Sequence, residues 1–345
     1  MDALILPAPK PAMGRGFSFA RLTLVLLLVM AALPACQATV LAPQPTDQVP
    51  EGGWPRMLVD DEGTTIEIAQ PPQRVISLSP ANTEIVFALG AGELLVGGTD
   101  FDDYPAEAAA LPDVATFTGV LLEQALALDP DLVLAAGNNF TPPGDIERMR
   151  ELGLAVLVVY AETVEGVLAD IGLIGQAIGA DEAAAEVVDE MRQRIARVEA
   201  ATSAVPQRPR VFYQIGSEPE IYAPAPDSFI ADMVVLAGGE PITTADPAVF
   251  SISVEQLVAQ DPEVIVLGDA AYGVCPPAVG ARPGWSSMTA VRNGAVRPVD
   301  DTIVTRPGPR LAEGLAALAL AIHPDADIEP PMAGTSLCPE GLLVR

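Results

Sequence analysis

Few side chains in this 345-residue chain could carry out a reaction. His323 is the single histidine, and Pro324 and Asp325 place it at the end of an apolar helical run, so a zinc or manganese site built from several histidines is excluded. No G-x-S-x-G elbow, P-loop or G-x-G-x-x-G turn occurs, which leaves a Ser-His-Asp triad or a nucleotide cradle without a setting. Asp60-Asp61 and Asp102-Asp103 have the residue types of an acid–base pair, but adjacent acids in an acidic, loop-rich chain are ordinarily solvated. Binding chemistry is better represented. Tyr104, Phe117, Tyr222, Tyr272 and Trp285 can stack on a flat ring, Ser79, Pro80, Ala81, Asn82, Gly119 and Asn138 lie in turns, and Arg306 can pair with a carboxylate or phosphate. Each aromatic also has a plain role, as packing at a core edge.

Those residues sit where the pattern predicts loops following strands. Residues 74–90, RVISLSPANTEIVFALG, read as a short apolar strand, a Ser79-Pro80-Ala81-Asn82 break and a helix over 83–89, with Asn82 or Ser79 as its cap. The positive end of such a helix lies beyond the carboxyl end of the strand, where ligands bind in open α/β sheets. Residues 122–137, LEQALALDPDLVLAAG, are echoed by residues 254–269, VEQLVAQDPEVIVLGD, with Glu123, Asp129 and Asp131 recurring as Glu255, Asp261 and Glu263. Each copy reads as helix, Asp-Pro turn and buried strand, which predicts two lobes of like design with separate cores. Helical spacing predicts two helices between them, over 164–179 and from Asp181, a fair N-cap, to about Ser203.

The chain opens with a leader. Lys10, Arg15 and Arg21 precede an apolar stretch over 22–30, and Leu33-Pro34-Ala35-Cys36 closes it as a secretory signal would, with Cys36 placed as a lipid acceptor. An ordinary cleaved signal is the alternative, and both readings export the chain. The resulting division is a lipoprotein signal over 1–36, a flexible tether over 37–55, a first lobe over 56–163, connecting helices over 164–205, a second lobe over 206–328 and a tail over 329–345. The formal net charge is −28, and loss of the leader takes it to about −30, which excludes nucleic acid and leaves a lipid on Cys36 as the membrane attachment. In an oxidising compartment Cys275 and Cys338 can pair; two buried free thiols are the alternative.

The wording of several segments resembles one family. RVISLSPANTE, Asp103-Tyr104-Pro105, the Asp129-Pro130-Asp131-Leu132-Val133 run, Arg282-Pro283-Gly284-Trp285, Ala290-Val291-Arg292-Asn293-Gly294 and Arg306-Pro307-Gly308-Pro309-Arg310 fall in the order shown by ABC-importer substrate-binding proteins for vitamin B12, iron siderophores and haem, the class III periplasmic binding proteins. The resemblance covers residues 56–324. It implies an α/β fold of two Rossmann-like lobes joined by a single long helix, with the ligand cleft between them. It also implies a monomeric receptor, not an enzyme, with no cofactor or metal site of its own, whose cargo is a metal chelate: cobalamin, a ferric siderophore or haem. Glu123 and Glu255 match the two glutamates that in this family pair with arginines of a permease dimer driven by a cytoplasmic ATPase. Ala136 stands where the B12 binders carry a pocket tryptophan. Within Arg-Pro-Gly-Pro-Arg the residues themselves leave two roles open, Arg306 as the ligand partner and Arg310 as a structural one pairing with an acid at the start of the last helix. A sensor without transport and an exported carboxylate-based hydrolase are the alternatives.

Overall fold

The computed structural model describes residues 53–331 and Cys338; the leader, Cys36 and most of the tether and tail lie outside the described residues. Alternating side chains in β1 (Arg56–Val59) and β2 (Thr65–Ile68) turn Leu58, Ile66 and Ile68 inward, and the two strands pair as an antiparallel hairpin. Trp54, expected in the tether, instead packs against the core with the Arg56 guanidinium 4.7 Å from its ring.

The first lobe is a six-stranded sheet of β3 (Val75–Ser77), β4 (Leu95–Thr99), β5 (Asp113–Thr116), β6 (Gly119–Val120), β7 (Leu132–Ala136) and β8 (Val156–Val159), in the order β6-β5-β4-β3-β7-β8. All neighbours are parallel except β5 and β6. The second lobe is a parallel sheet of β9 (Arg210–Gln214), β10 (Glu240–Pro241), β11 (Val264–Leu267) and β12 (Val296–Pro298), in the order β10-β9-β11-β12. Val156–Val159 and Val264–Leu267 are unbroken apolar runs because helices cover both faces of a parallel sheet. In each lobe the order reverses beside the first strand, at β3 and β7 and again at β9 and β11, which opens a crevice at the carboxyl ends of those strands.

Helices α1 (Pro80–Ala88), α2 (Leu122–Ala127), α3 (Pro143–Glu151) and α4 (Val164–Ile178) accompany the first sheet. α5 (Asp181–Ser203) follows, and α6 (Phe229–Leu236), α7 (Val254–Gln260), α8 (Pro276–Gly280), α9 (Thr289–Arg292), α10 (Asp301–Thr305) and α11 (Leu311–Ile322) accompany the second. The duplication read in the sequence is reproduced in detail. Asp129 and Asp261 close α2 and α7 with φ of 48° and 45°. The Nε of Arg74 donates to the Leu128 and Asp129 carbonyls, as that of Arg210 does to Gln260 and Asp261. Asp131 and Glu263 accept from the backbone N–H of Arg74 and Arg210 at 3.0 and 3.1 Å.

α4 is held by Thr163, whose Oγ1 accepts from Gly166 N at 3.1 Å, and ends at Gly179 with φ +79°, the left-handed stop that glycine adopts without strain. α5 has 23 residues, about 34 Å, and buries Ala184, Val188, Met191, Ile195, Val198 and Thr202 along one stripe. Asp181 is its first residue rather than its cap; the carboxylate reaches Arg56 at 2.8 Å instead of the helix backbone. The expectation of separate cores is corrected too. One apolar cluster runs from Leu58 and Val75 through Ile171 and Ile174 of α4 and Met191 of α5 to Leu315 and Ile322, while a second, around Ile76, Val114 and Val133, fills the other face of the first sheet. Because close-packed cores deform little, lobes that share one are held to small relative movements.

Candidate functional site

The seam between the lobes is ionic. Arg306 and Arg310, in the loop between α10 and α11, reach across to the first lobe. Arg310 donates through Nε and Nη2 to the two carboxylate oxygens of Glu84 at 2.8 and 2.6 Å, and its guanidinium lies 4.1 Å from the ring centre of Tyr104. Arg306 donates through Nη1 to Glu84 at 3.0 Å and to Asp103 at 2.5 Å, with Nη2 3.3 Å from the second Asp103 oxygen. Both guanidinium charges are held above their ordinary range by Glu84 and Asp103, which outweigh the effect of burial. Burial pushes the Asp103 carboxyl up, but the Arg306 hydrogen bond and the Arg306 and Arg310 charges together leave it below the usual aspartate range.

This seam revises what the PANTE wording was expected to do. Ser79 caps a helix that begins at Pro80, because proline suits the first helical position and its missing N–H has no partner to lose. Ser79 Oγ accepts from Asn82 N at 3.3 Å, Asn82 Nδ2 donates to the Ala135 carbonyl, and Thr83 Oγ1 donates to Asp102 at 2.8 Å. Pro80 and Ala81 are buried with them, so Ser79, Pro80, Ala81 and Asn82 brace the crevice rather than offering free groups to a ligand. Asp102 is itself pushed up by burial, against hydrogen bonds from Thr99 and Thr83.

Trp285 is the clearest correction. It is 1 % exposed, edge-on to Phe212 with Arg282 4.9 Å above its ring, and is a core residue of the second lobe because the turn at Gly284, φ +85°, folds it inward. Arg306 is likewise not free for a ligand acid, since Glu84 and Asp103 already occupy it. Arg310 pairs with Glu84 rather than with the first turn of α11, where Glu313 takes Arg194 instead.

What the strand ends do expose is aromatic. The carboxyl ends of β4, β5, β7 and β8 lead to Tyr104, Phe117, Phe140 and Tyr160, all exposed, Phe117 by 90 %. Gly119 lies two residues after Phe117 and opens β6 with φ +125°. Asn138, with φ 53°, lies in the turn over 137–140 that carries Phe140, and its Nδ2 donates to the Tyr160 hydroxyl at 2.6 Å. From the second lobe Tyr272, 86 % exposed, follows β11, while Tyr222 bridges Gly216 and Ser251 and is half-buried. Tyr160 escaped the sequence reading; its signal is an aromatic residue directly after an apolar strand.

The reversal point of the second sheet holds a closed polar network. Gln214 Nε2 donates to both oxygens of Asp269 at 2.8 Å, and Arg282 donates to Gln214 Oε1 and Ser217 Oγ at 2.8 and 2.9 Å. Surface grooves of about 460 and 560 Å³ lie elsewhere, one beside α7 around Thr244 and Gln256, the other between α4 and α5 around Asp170 and Gln176. The crevice is therefore identified by strand ends and lobe contacts rather than by groove size. Among the described residues no group of three His, Cys, Asp or Glu side chains is placed to hold a metal ion. Glu123 and Glu255 are the second residues of α2 and α7, at matching places in the two lobes and outside the core. Cys275 and Cys338 are joined in a disulfide, Cα atoms 5.9 Å apart, which fastens the tail to the second lobe.

Comparison with known proteins agrees with this architecture. The periplasmic binding protein family model matches residues 75–302. An uncharacterized ABC transporter substrate-binding lipoprotein of Bacillus subtilis is 33 % identical over 315 residues, 90 % of this chain and 97 % of that protein. A cobalamin-binding protein of Halobacterium salinarum is 32 % identical over 330 residues, 90 % of this chain and 86 % of its own. The crystal structure of the periplasmic vitamin B12 binding protein of Vibrio cholerae superposes with a TM-score of 0.65 at 26 % identity, covering 73 % of this chain and 97 % of that one. With two α/β lobes, a long joining helix and a crevice at the strand ends, the chain belongs to the periplasmic binding protein family.

Proposed function

We propose that this protein is the extracytoplasmic, lipid-anchored receptor of an ABC importer and that its cargo is a corrinoid. The observation that carries the reading is the set of exposed aromatic side chains at the carboxyl ends of the strands, Tyr104, Phe117, Phe140 and Tyr160 on one lobe and Tyr272 on the other. Such side chains offer π faces to a flat macrocycle, and stacked contacts of this kind contribute beyond simple area burial. Ala136 lacks the indole that B12 binders of the family show; Thr141 N donates to the Ala136 carbonyl at 3.0 Å, and the turn this bond closes carries the exposed Phe140. The similarity to cobalamin- and vitamin B12-binding proteins supports the same cargo class.

Capture takes place between lobes whose shared core allows only a modest closure, and the loaded form is recognised by a permease dimer coupled to a cytoplasmic ATPase. Glu123 and Glu255 present carboxylates from equivalent helix starts of the two lobes, an arrangement suited to paired arginines on a partner. Attachment is through a lipid on Cys36, and no catalytic group is required. Calorimetric titration of residues 37–345 with cyanocobalamin tests the cargo: saturable binding of one ligand per chain is expected, and its absence overturns the corrinoid assignment.

A further inference from the structure

Among the described residues, the cations that face the crevice are few and all committed. No lysine follows Lys10 in the sequence, so no flexible ammonium can swing into it. Arg282 is tied to Gln214 and Ser217 beside Asp269, Arg310 to Glu84, and Arg306 to Glu84 and Asp103. At the seam two guanidinium groups face two carboxylates, and the charges cancel. The two carboxylates are not equivalent, however. Glu84 is buried, its side chain 2 % exposed, with both oxygens bonded to arginine. Asp103 is 63 % exposed and covers the outer edge of Arg306 with both oxygens. That edge-on, two-oxygen contact is the geometry in which a guanidinium binds a free carboxylate of any origin.

We propose that Asp103 is a specificity-determining residue: a built-in carboxylate that occupies the Arg306 edge a ligand acid would need, so that the crevice takes macrocycles with uncharged amide substituents in preference to carboxylate-bearing ones of the same shape. The proposal rests on the crevice being the ligand site. A ligand acid entering there either faces a like charge or displaces Asp103 and exchanges one ion pair for another, without net electrostatic gain. A neutral amide meets no such repulsion and needs nothing from Asp103. Like charges a few ångströms apart at a protein surface repel strongly enough to change affinity about tenfold or more, an effect that salt weakens.

The test compares dicyanocobinamide, whose corrin side chains are amides, with dicyanocobyrinic acid, whose side chains are free acids, on the parent protein, Asp103→Asn and Asp103→Ser. Haemin and its dimethyl ester serve as a second pair, in which methylation removes the two propionate charges, and the variant-to-parent change of their ratio cancels the added methyl groups. Thermal melting of each variant establishes that it is folded. The parent is expected to prefer the amide form at least tenfold; both variants should bind the acid about tenfold more tightly at low salt and leave the amide within about threefold. An acid-to-amide ratio unchanged by either substitution overturns the proposal. Failure of the parent to bind dicyanocobinamide counts against the corrinoid cargo instead. The haemin pair then tests Asp103, and an unchanged ratio there, or no binding of either compound, overturns its role as well.

Discussion

Glu84 in the first lobe receives a two-pronged hydrogen bond from Arg310 in the second, at 2.8 and 2.6 Å, across 226 residues of sequence. Glu84 is buried midway along α1, and Arg306 adds a third bond to it at 3.0 Å. A buried carboxylate with two arginines ties the lobes at one point while the continuous core ties them along α4 and α5.

Removing that carboxylate takes both hydrogen bonds to Glu84 from Arg310 and leaves Arg306 with Asp103. Glu84→Ala is expected to destabilise the protein by about 3–5 kcal/mol, since breaking a buried pair strands its partners. Urea denaturation of the variant against the parent measures it; a loss under about 1 kcal/mol would show that the seam contributes little to folding.

The two glutamates at the starts of α2 and α7 should behave in the opposite way. Glu123→Ala and Glu255→Ala, alone or together, are expected to change stability by no more than about 0.5 kcal/mol, because neither side chain is buried in the fold. Ligand affinity should hold while ligand uptake in vesicles carrying the permease falls, most in the double variant. Unimpaired uptake would remove docking from these residues.

Asp170, on α4, faces Asp61 in the turn of the hairpin. Burial, then the Asp61 charge and hydrogen bond, push its carboxyl up to about 8. The folded state therefore keeps a proton that the unfolded chain releases near pH 4, so this stabilising contribution is complete below about pH 4 and is lost as pH rises towards 8. Melting curves across that interval should fall in the parent by the equivalent of a few kcal/mol. Asp170→Asn, uncharged throughout, should flatten the decline, and an unaltered profile would locate the pH dependence elsewhere.

The disulfide closes a segment of 63 residues. Loop-closure entropy in the unfolded chain puts its contribution at about 4 kcal/mol, so Cys338→Ser should lower the unfolding free energy by up to that amount. Reductant should lower the parent to the same level and leave the variant unmoved, as read by denaturation with and without dithiothreitol.

Local pattern in the amino-acid sequence determined the elements that depend on near neighbours. The helix–Asp-Pro–strand duplication, the ends of α4 and α5, and the placing of Glu123 and Glu255 on matching helix starts all follow from periodicity, turn residues and capping within a few positions. Tertiary structure alone decided which loop residues look into the crevice. Asn82 turns inward because the Ala135 carbonyl accepts from its amide, Thr83 beside it is drawn to Asp102, and Trp285 is folded into the core by the turn at Gly284. Arg306 commits its charge to Glu84 and Asp103, which lie 222 and 203 positions away. No local rule carries such pairings, because they depend on how two separately built sheets are set against one another by the core they share.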